Sequence, residues 1–434
     1  MTRNQPTADI GTRDYARTLD QQDELAAFRK RFYTREDQIY MDGNSLGLLS
    51  RDAEAAVQRA LAQWKELGID GWMAANPQWF TLGEQLGELT AELVGAYSDE
   101  VVVTGTTTVN QHQLVSTFYQ PVGARRKIIA TALDFPSDIY ALQSQILLKG
   151  GDPEHDLVRV PSRDGRTIED DDIIAEMSDD VALAVLPSVL YRSGQLLNIG
   201  ELTKAAHERG ILIGFDCAHS AGAVPHELTA CGVDFAYWCN YKYLNAGPGS
   251  VGALYVNRRH FGTRPGLSGW WGYNKERQFD MVHEWEGSPA AGAWQISTVP
   301  LLSTAPLIGS LKIFQEAGMD RVRKKSLSQT EYLMNLMEAI GLLSPAYGYA
   351  VGTPADARRR GGHVAVEHKA GARIAKALKN RGIVPDFREP NVVRLAPIAL
   401  YTRYVDVWDV VQALKGIIDT GEYLEQDEGR NIVA

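Results

Sequence analysis

Cysteine is scarce in this chain. There are three among 434 residues, Cys217, Cys231 and Cys239. An odd, low count excludes a disulfide framework and points to a reducing, cytoplasmic compartment. Their spacing matches no zinc-ligand pattern, so buried structural thiols are expected and no metal site. Long apolar runs are missing too. None approaches membrane-spanning length, and the opening M-T-R-N-Q-P-T-A-D-I holds no signal-peptide core. Positive charge is in deficit: 44 Lys and Arg stand against 54 Asp and Glu, a net charge of −10. The longest basic tract is Arg358–Arg360, an ordinary solvated face, so general nucleic-acid binding is excluded. Internal repeats and low-complexity linkers are absent.

What is present is an ordinary globular composition, with 44% hydrophobic and 23% charged residues. The length is too great for one small core and fits a large domain with a smaller one. Residues 13 to 33 read as a polar, helical segment. Leu82, Leu86, Leu89 and Leu93 recur at helical spacing. Short apolar runs then alternate with helical stretches: Val101–Thr104, Lys127–Thr131, Val181–Pro187, Ile211–Phe215, Phe235–Trp238 and Val251–Val256. Glu201–Gly210 reads as a crossover helix closed by Gly210. This alternation predicts an α/β fold, a mainly parallel sheet with helices on both faces. After about residue 305 longer helices take over, with apolar pieces near Gly362–Val366 and Val392–Leu395. We expect a large domain over 60–305 and a smaller α+β domain from 306–434 joined by 1–59.

Two residues carry the chemistry. Asp216 ends the apolar run in I-L-I-G-F-D-C-A-H-S, and Lys242 sits among aromatics in W-C-N-Y-K-Y-L-N-A-G. Ligands of open α/β sheets bind beyond the carboxyl ends of the strands, which puts both at one rim. An acid and a lysine so placed suit pyridoxal phosphate: the carboxylate keeps the pyridine nitrogen protonated, and the amine bonds the cofactor and moves protons. T-G-T-T-T-V-N (Thr104–Asn110) follows a strand and opens a helix, which suits a phosphate; alone it is equally an N-capped turn. Phe135, in L-D-F-P-S-D, suits stacking on a flat ring, or a core position before a proline turn. His219 follows Asp216 at a spacing that needs further ligands to hold a metal, so it is expected to orient the acid or pack on the cofactor. Gly247–Gly252 matches G-x-G-x-x-G but leads into a strand, which argues against nicotinamide binding. The paired tryptophans of P-G-L-S-G-W-W-G suit phosphate donation or a packed loop. Arg394, alone in an apolar strand, needs an anion: a substrate carboxylate or a structural ion pair.

Taken together, these segments resemble kynureninase. The resemblance is carried by M-D-G-N-S-L-G (Met41–Gly47), T-T-V-N (Thr107–Asn110), F-P-S-D (Phe135–Asp138), F-D-C-A-H (Phe215–His219), the block Gly232–Gly247, G-W-W-G (Gly269–Gly272), Q-I-S-T-V-P (Gln295–Pro300) and V-R-L-A-P-I-A-L-Y (Val393–Tyr401). They run in family order over about nine-tenths of the chain. The lysine block is the specific one; the shorter segments persuade together.

The resemblance implies a fold-type-I pyridoxal 5'-phosphate enzyme with a seven-stranded sheet, acting as a homodimer with shared sites. It implies a hydrolase of carbon–carbon bonds that splits L-kynurenine or 3-hydroxykynurenine into anthranilate or 3-hydroxyanthranilate and L-alanine, in tryptophan breakdown. By motif, Lys242 binds the cofactor, Asp216 faces its ring nitrogen and Phe135 stacks on it, with His219 and Asp138 nearby. Thr107, Thr108 and Tyr241 hold the phosphate, Tyr241 also serving as a proton relay. Trp270 and Thr298 reach it from the partner subunit. Arg394 holds the substrate α-carboxylate and Asn44 lines the cleft. Two positions depart from the family: Pro187, with Ser188 beside it, stands where relatives carry Ser or Thr, and Trp72 stands where animal members have a substrate-facing His. The ring preference is therefore open. Among rivals, a cysteine desulfurase needs a nucleophilic cysteine well after the lysine, and all three here precede it. A tailoring enzyme for a substituted kynurenine stays compatible. A non-catalytic binder is disfavoured by the intact Lys242 and Asp216.

Overall fold

The computed structural model describes residues 10–429; the expectation for the first nine residues lies outside them. The strands in chain order are β1 (Ile39–Tyr40), β2 (Val101–Val103), β3 (Lys127–Thr131), β4 (Leu157–Val160), β5 (Val181–Pro187), β6 (Leu212–Asp216), β7 (Phe235–Cys239), β8 (Gly252–Val256), β9 (Ala350–Val351), β10 (Val364–Glu367), β11 (Ile383–Val384), β12 (Asp386–Arg388) and β13 (Val392–Leu395).

Seven of them form one sheet in the order β2-β8-β7-β6-β5-β3-β4. Only β8 runs against its neighbours; the rest are parallel. The sheet is mainly parallel, as expected. Its inner strands are apolar throughout because both faces are covered. Alternate residues point to opposite cores: Ala184 and Leu186 to one side of β5, Leu183 and Val185 to the other. Strand β4 had no signal in the run analysis. It is a short edge strand, L-V-R-V, with Leu157 and Val158 half-buried, Arg159 exposed and Val160 buried.

The crossover helix Ile199–Glu208 is capped by the Asn198 side chain, which accepts from the Glu201 amide. The helix Leu82–Ala91 packs Leu82 and Leu86 inward. The expected helix in the first segment is Arg13–Gln21, capped by Thr12, followed by a 3-10 stretch over Ala26–Arg31.

A second, antiparallel sheet has the order β12-β13-β10-β9, and β1 pairs in parallel with β11. That pairing ties Ile39 and Tyr40 to Ile383 and Val384, so the chain's first part closes on its last. A separate apolar cluster lies here, around Met41, Leu333, Val366, Val393 and Val410. The boundaries expected after residues 59 and 305 fall inside the helices Arg51–Leu67 and Leu301–Ala317. The second lies at Pro306, which has no N–H and interrupts the helical bonds there. Among the described residues, no helix is long and apolar enough to cross a membrane.

Those two helices touch backbone to backbone at Gly309, where a Cβ would come 2.2 Å from the Asp52 carbonyl carbon and oxygen. Gly309→Ala is expected to cost about 1–3 kcal/mol of stability through overpacking. Urea denaturation checks it; an unchanged midpoint would mean the helices part freely.

Candidate active site

The site forms at the carboxyl ends of the parallel strands. β6 ends at Asp216. β7 leads into a loop that closes on itself: the Asn240 side chain donates to the Val251 carbonyl at 2.8 Å and the Ala246 amide to the Asn240 carbonyl at 2.9 Å. Asn245, at φ 55°, takes the left-handed turn that asparagine tolerates. Its amide donates to the Lys242 carbonyl at 2.9 Å. The loop Met41–Gly47 docks here. The Gly47 amide donates to the Tyr241 carbonyl at 2.8 Å, and a Cβ on Gly47 would lie 2.5 Å from the Lys242 carbonyl oxygen. Only glycine permits that approach.

Lys242 Nζ lies 2.9 Å from His219 Nε2. Burial, with the cations of Lys242 and Arg394 nearby, pushes the His219 imidazole well below its ordinary pKa. It is neutral, with Nε2 as acceptor. The proton is then on Nδ1, which is buried without a partner. Asp216 is pushed up by burial, and Lys242 pulls it back. One of its oxygens accepts from the Ala218 amide at 2.8 Å. Asp138 sits against it, also pushed well up by burial and by the charges of Asp216 and Asp134. Asp138 accepts from the Tyr237 hydroxyl at 3.2 Å. Burial pushes Asp134 up to about 7. Three carboxyls thus crowd one low-dielectric rim, an arrangement that favours an added cation.

Thr107 opens the helix Thr107–Phe118, whose N-cap Thr106 makes no side-chain cap bond. Its first amides are free for an anion. Thr108 Oγ1 lies 2.7 Å from Ser137 Oγ, and Ser137 belongs to a second helix start, Pro136–Leu148. Phe135 is 42% exposed and meets Tyr191 edge-on at 5.3 Å, leaving a face open. Tyr241 is largely buried, which keeps its hydroxyl protonated. Asn44 is fully buried, and neither its amide nitrogen nor its oxygen has a partner.

Of the two anions expected for Arg394, the fold provides one. The guanidinium forms a buried ion pair with Asp386, directly across from it in the sheet. It also donates to the Tyr191 carbonyl at 2.6 Å and to Ser45 Oγ at 3.0 Å. Arg388 shares Asp386 at 3.0 Å. Burial and the Asp386 charge push Asp42 beside them up to about 6.

Trp72, Trp270 and Thr298 lie apart from this group. Trp72 packs on Trp79 at 6.0 Å and Trp271 at 5.5 Å. Trp270 is 48% exposed, and its indole N–H donates to the Gln278 carbonyl at 3.1 Å. Thr298 is exposed. Pro187 is the register partner of Asp216, and the Ser188 amide and hydroxyl both donate to the Asp216 carbonyl. Several site residues escaped the sequence reading. Ser137 and Tyr237 lie inside quoted segments without having been singled out. His363, whose ring meets His219 at 5.9 Å, had no local signal at all.

An open, mainly parallel sheet with a lysine and a buried acid at its rim has the architecture of the fold-type-I pyridoxal phosphate enzymes. Solved structures share it. A C-DES variant with glycine covalently linked to the PLP cofactor aligns at TM-score 0.76 and 18% identity, covering 89% of this chain and 98% of that one. The cysteine desulfurase CsdA from Escherichia coli aligns at 0.73 and 18%, covering 92% and 99%. Sequence relatives narrow the class. Kynureninase from Geobacillus thermodenitrificans is 58% identical over 423 residues, 98% of each chain. Kynureninase from Bacillus anthracis is 56% identical with the same coverage. The family described as kynureninase C-terminal domain matches residues 322–414. The chain belongs to the kynureninase family.

Arg394→Lys should lower stability by about 2 kcal/mol, since an ammonium cannot serve Asp386, Tyr191 and Ser45 together in a buried site. A urea midpoint equal to wild type would show that the Asp386 pair contributes nothing.

Proposed function

We propose that the protein hydrolyses kynurenine, or its 3-hydroxy form, to the corresponding anthranilate and L-alanine, using pyridoxal 5'-phosphate. The observation that carries this reading is Lys242 beside buried Asp216 and neutral His219, in a chain that matches kynureninases end to end. The residues suit the cofactor. Asp216 is a desolvated carboxylate held in place by the Ala218 amide and Asp138, Phe135 offers an open ring face, and an uncapped helix start with Thr107, Thr108 and Ser137 offers donors to a phosphate.

Lys242 is the residue that would hold the cofactor covalently. When bound, the cofactor draws electrons from the carbons next to the substrate's amino group. Asp216 would favour positive charge on the cofactor's ring nitrogen, and Asp138, held protonated by burial and its acidic neighbours, donates to the Asp216 carboxylate. The Lys242 amine, once released, takes the proton from the substrate α-carbon and can return it elsewhere. Neutral His219 accepts from Nζ and keeps the amine in place. Tyr241 holds a proton near the phosphate site and serves as a relay to the carbon released when Cβ–Cγ breaks. Arg394 keeps a substrate-carboxylate role beside its Asp386 pair, and unpartnered Asn44 lines the cleft.

The desulfurase chemistry of the structural neighbours does not suit this chain. Cys217 and Cys239 are buried, and burial pushes the Cys217 thiol up to about 12, far from a nucleophilic thiolate.

We further read the chain as a homodimer in the cytoplasm, supported by its exposed Trp270 and by three unpaired thiols. Trp270 and Thr298 then serve the partner's site, with Trp72 in the same aromatic group. A cofactor-holding unit near 60–305 and a smaller unit from the two chain ends remain our division, supported by the β1–β11 pairing, with its borders moved off the two helices.

Lys242→Ala is expected to abolish the borohydride-reducible cofactor link and to cut turnover on the order of a thousandfold. Alanine release at wild-type rate would remove Lys242 from the chemistry. Mixing Lys242→Ala with an inactive Trp270 or Thr298 variant should restore some activity, since one heterodimer site is intact. Proven subunit exchange without activity would rule out the shared site.

A further inference from the structure

Behind Asp216, on the side away from the cleft, three buried side chains form an unbroken hydrogen-bond chain. The Asp216 carbonyl oxygen accepts from the Ser188 amide at 2.8 Å and from the Ser188 hydroxyl at 2.9 Å. Ser188 Oγ lies 2.7 Å from Ser220 Oγ. Ser220 Oγ lies 2.7 Å from His226 Nε2. Ser188 and Ser220 are wholly buried and His226 nearly so.

The proton directions follow from the donor inventory. Ser188 has one hydroxyl proton and gives it to the Asp216 carbonyl, so it must accept from Ser220. Ser220 spends its proton on Ser188, so the Cys217 carbonyl at 3.2 Å gets at most a share. Ser220 must then accept from His226 Nε2–H. Burial holds His226 down at about 4, so the ring is neutral and this contact assigns it the Nε2–H tautomer. All dipoles point the same way, toward Asp216, and aligned bonds strengthen one another.

The chain grips the peptide that carries the functional acid. On its other side the Cys217 amide donates to the Tyr237 carbonyl at 2.8 Å. Ala218, one residue further, holds Asp216 Oδ1. The Ser188 amide is the last bond of the parallel β5–β6 ladder, at the Pro187–Asp216 pair. The Ser188 hydroxyl adds a second donor to the same carbonyl.

We propose that His226 is a positioning residue which, through Ser220 and Ser188, fixes the Asp216 carbonyl and so aims the Asp216 carboxylate at the cofactor ring. This rests on the reading that Asp216 faces the bound cofactor. His226 also borders a surface cavity of about 490 Å³ with Val224, Pro225 and Cys231, so truncating it enlarges an open cavity rather than creating a sealed void.

The test compares His226→Leu, His226→Gln and Ser188→Ala as holoenzymes. The readouts are cofactor release into excess hydroxylamine without substrate, visible absorbance, kcat and KM. Leu at 226, or Ala at 188, should release the cofactor about tenfold faster and lower kcat about tenfold with KM near wild type, the loss expected from one buried hydrogen bond. Gln at 226 keeps an N–H for Ser220 and should recover most of both. A purely structural role predicts the reverse: lower melting temperatures in both 226 variants, with unchanged release and kcat. That result overturns the proposal. If His226→Leu does not fold, Ser188→Ala decides alone, and wild-type behaviour there overturns it equally. A wild-type enzyme without a borohydride-reducible link at Lys242 would instead overturn the cofactor reading beneath.

Discussion

Burying a carboxylate in a low-dielectric interior is costly, and the rim of the large sheet does so at Asp216 with Asp138 and Asp134 close by. A protein keeps such a group only when something nearby balances it. Within the chain the nearby cation is Lys242, itself bonded to a neutral histidine. Much of the local architecture serves this arrangement. The β6 and β7 ends bring acid and lysine together, the Asn240–Ala246 loop holds the lysine, and Gly47 lets the Met41–Gly47 loop close over it. The unmet demand for positive charge is what makes a protonated ring nitrogen a natural occupant.

The second charged cluster obeys the same rule with a different outcome. Arg394 is almost wholly buried, and Asp386 lies across the sheet from it, so the ion pair is complete. It contributes order as well as any recognition, since Tyr191 and Ser45 fix the remaining donors. Asn44, next to Ser45 in the chain, has no partner for either polar atom.

The solved structures that share the fold include sulfur-handling enzymes at 18% identity. A common scaffold supplies the rim, while the reaction depends on the few groups projected into it. Here Cys217 and Cys239 are buried and Cys231, expected to be buried, is half-exposed, while the rim presents aromatic, amide and hydroxyl groups.

The sequence by itself determined the sheet's inner strands, because strands buried on both faces must be apolar throughout, and it placed Asp216 and Lys242 at one rim, because strand ends fix loop positions. It also placed a helix opening within Thr104–Asn110, after a strand and among hydroxyl residues; the structure starts it at Thr107. Strand β4 was not legible, because an edge strand needs no apolar pattern. The partner of Arg394 was not legible either: Asp386 is near in sequence, but only the antiparallel register sets it opposite. The contact of Thr108 with Ser137, the approach of His363 to His219, and the Ser188–Ser220–His226 chain join residues far apart along the polypeptide. Hydrogen bonding and burial between distant segments carry no local periodicity, so only the tertiary structure decided them.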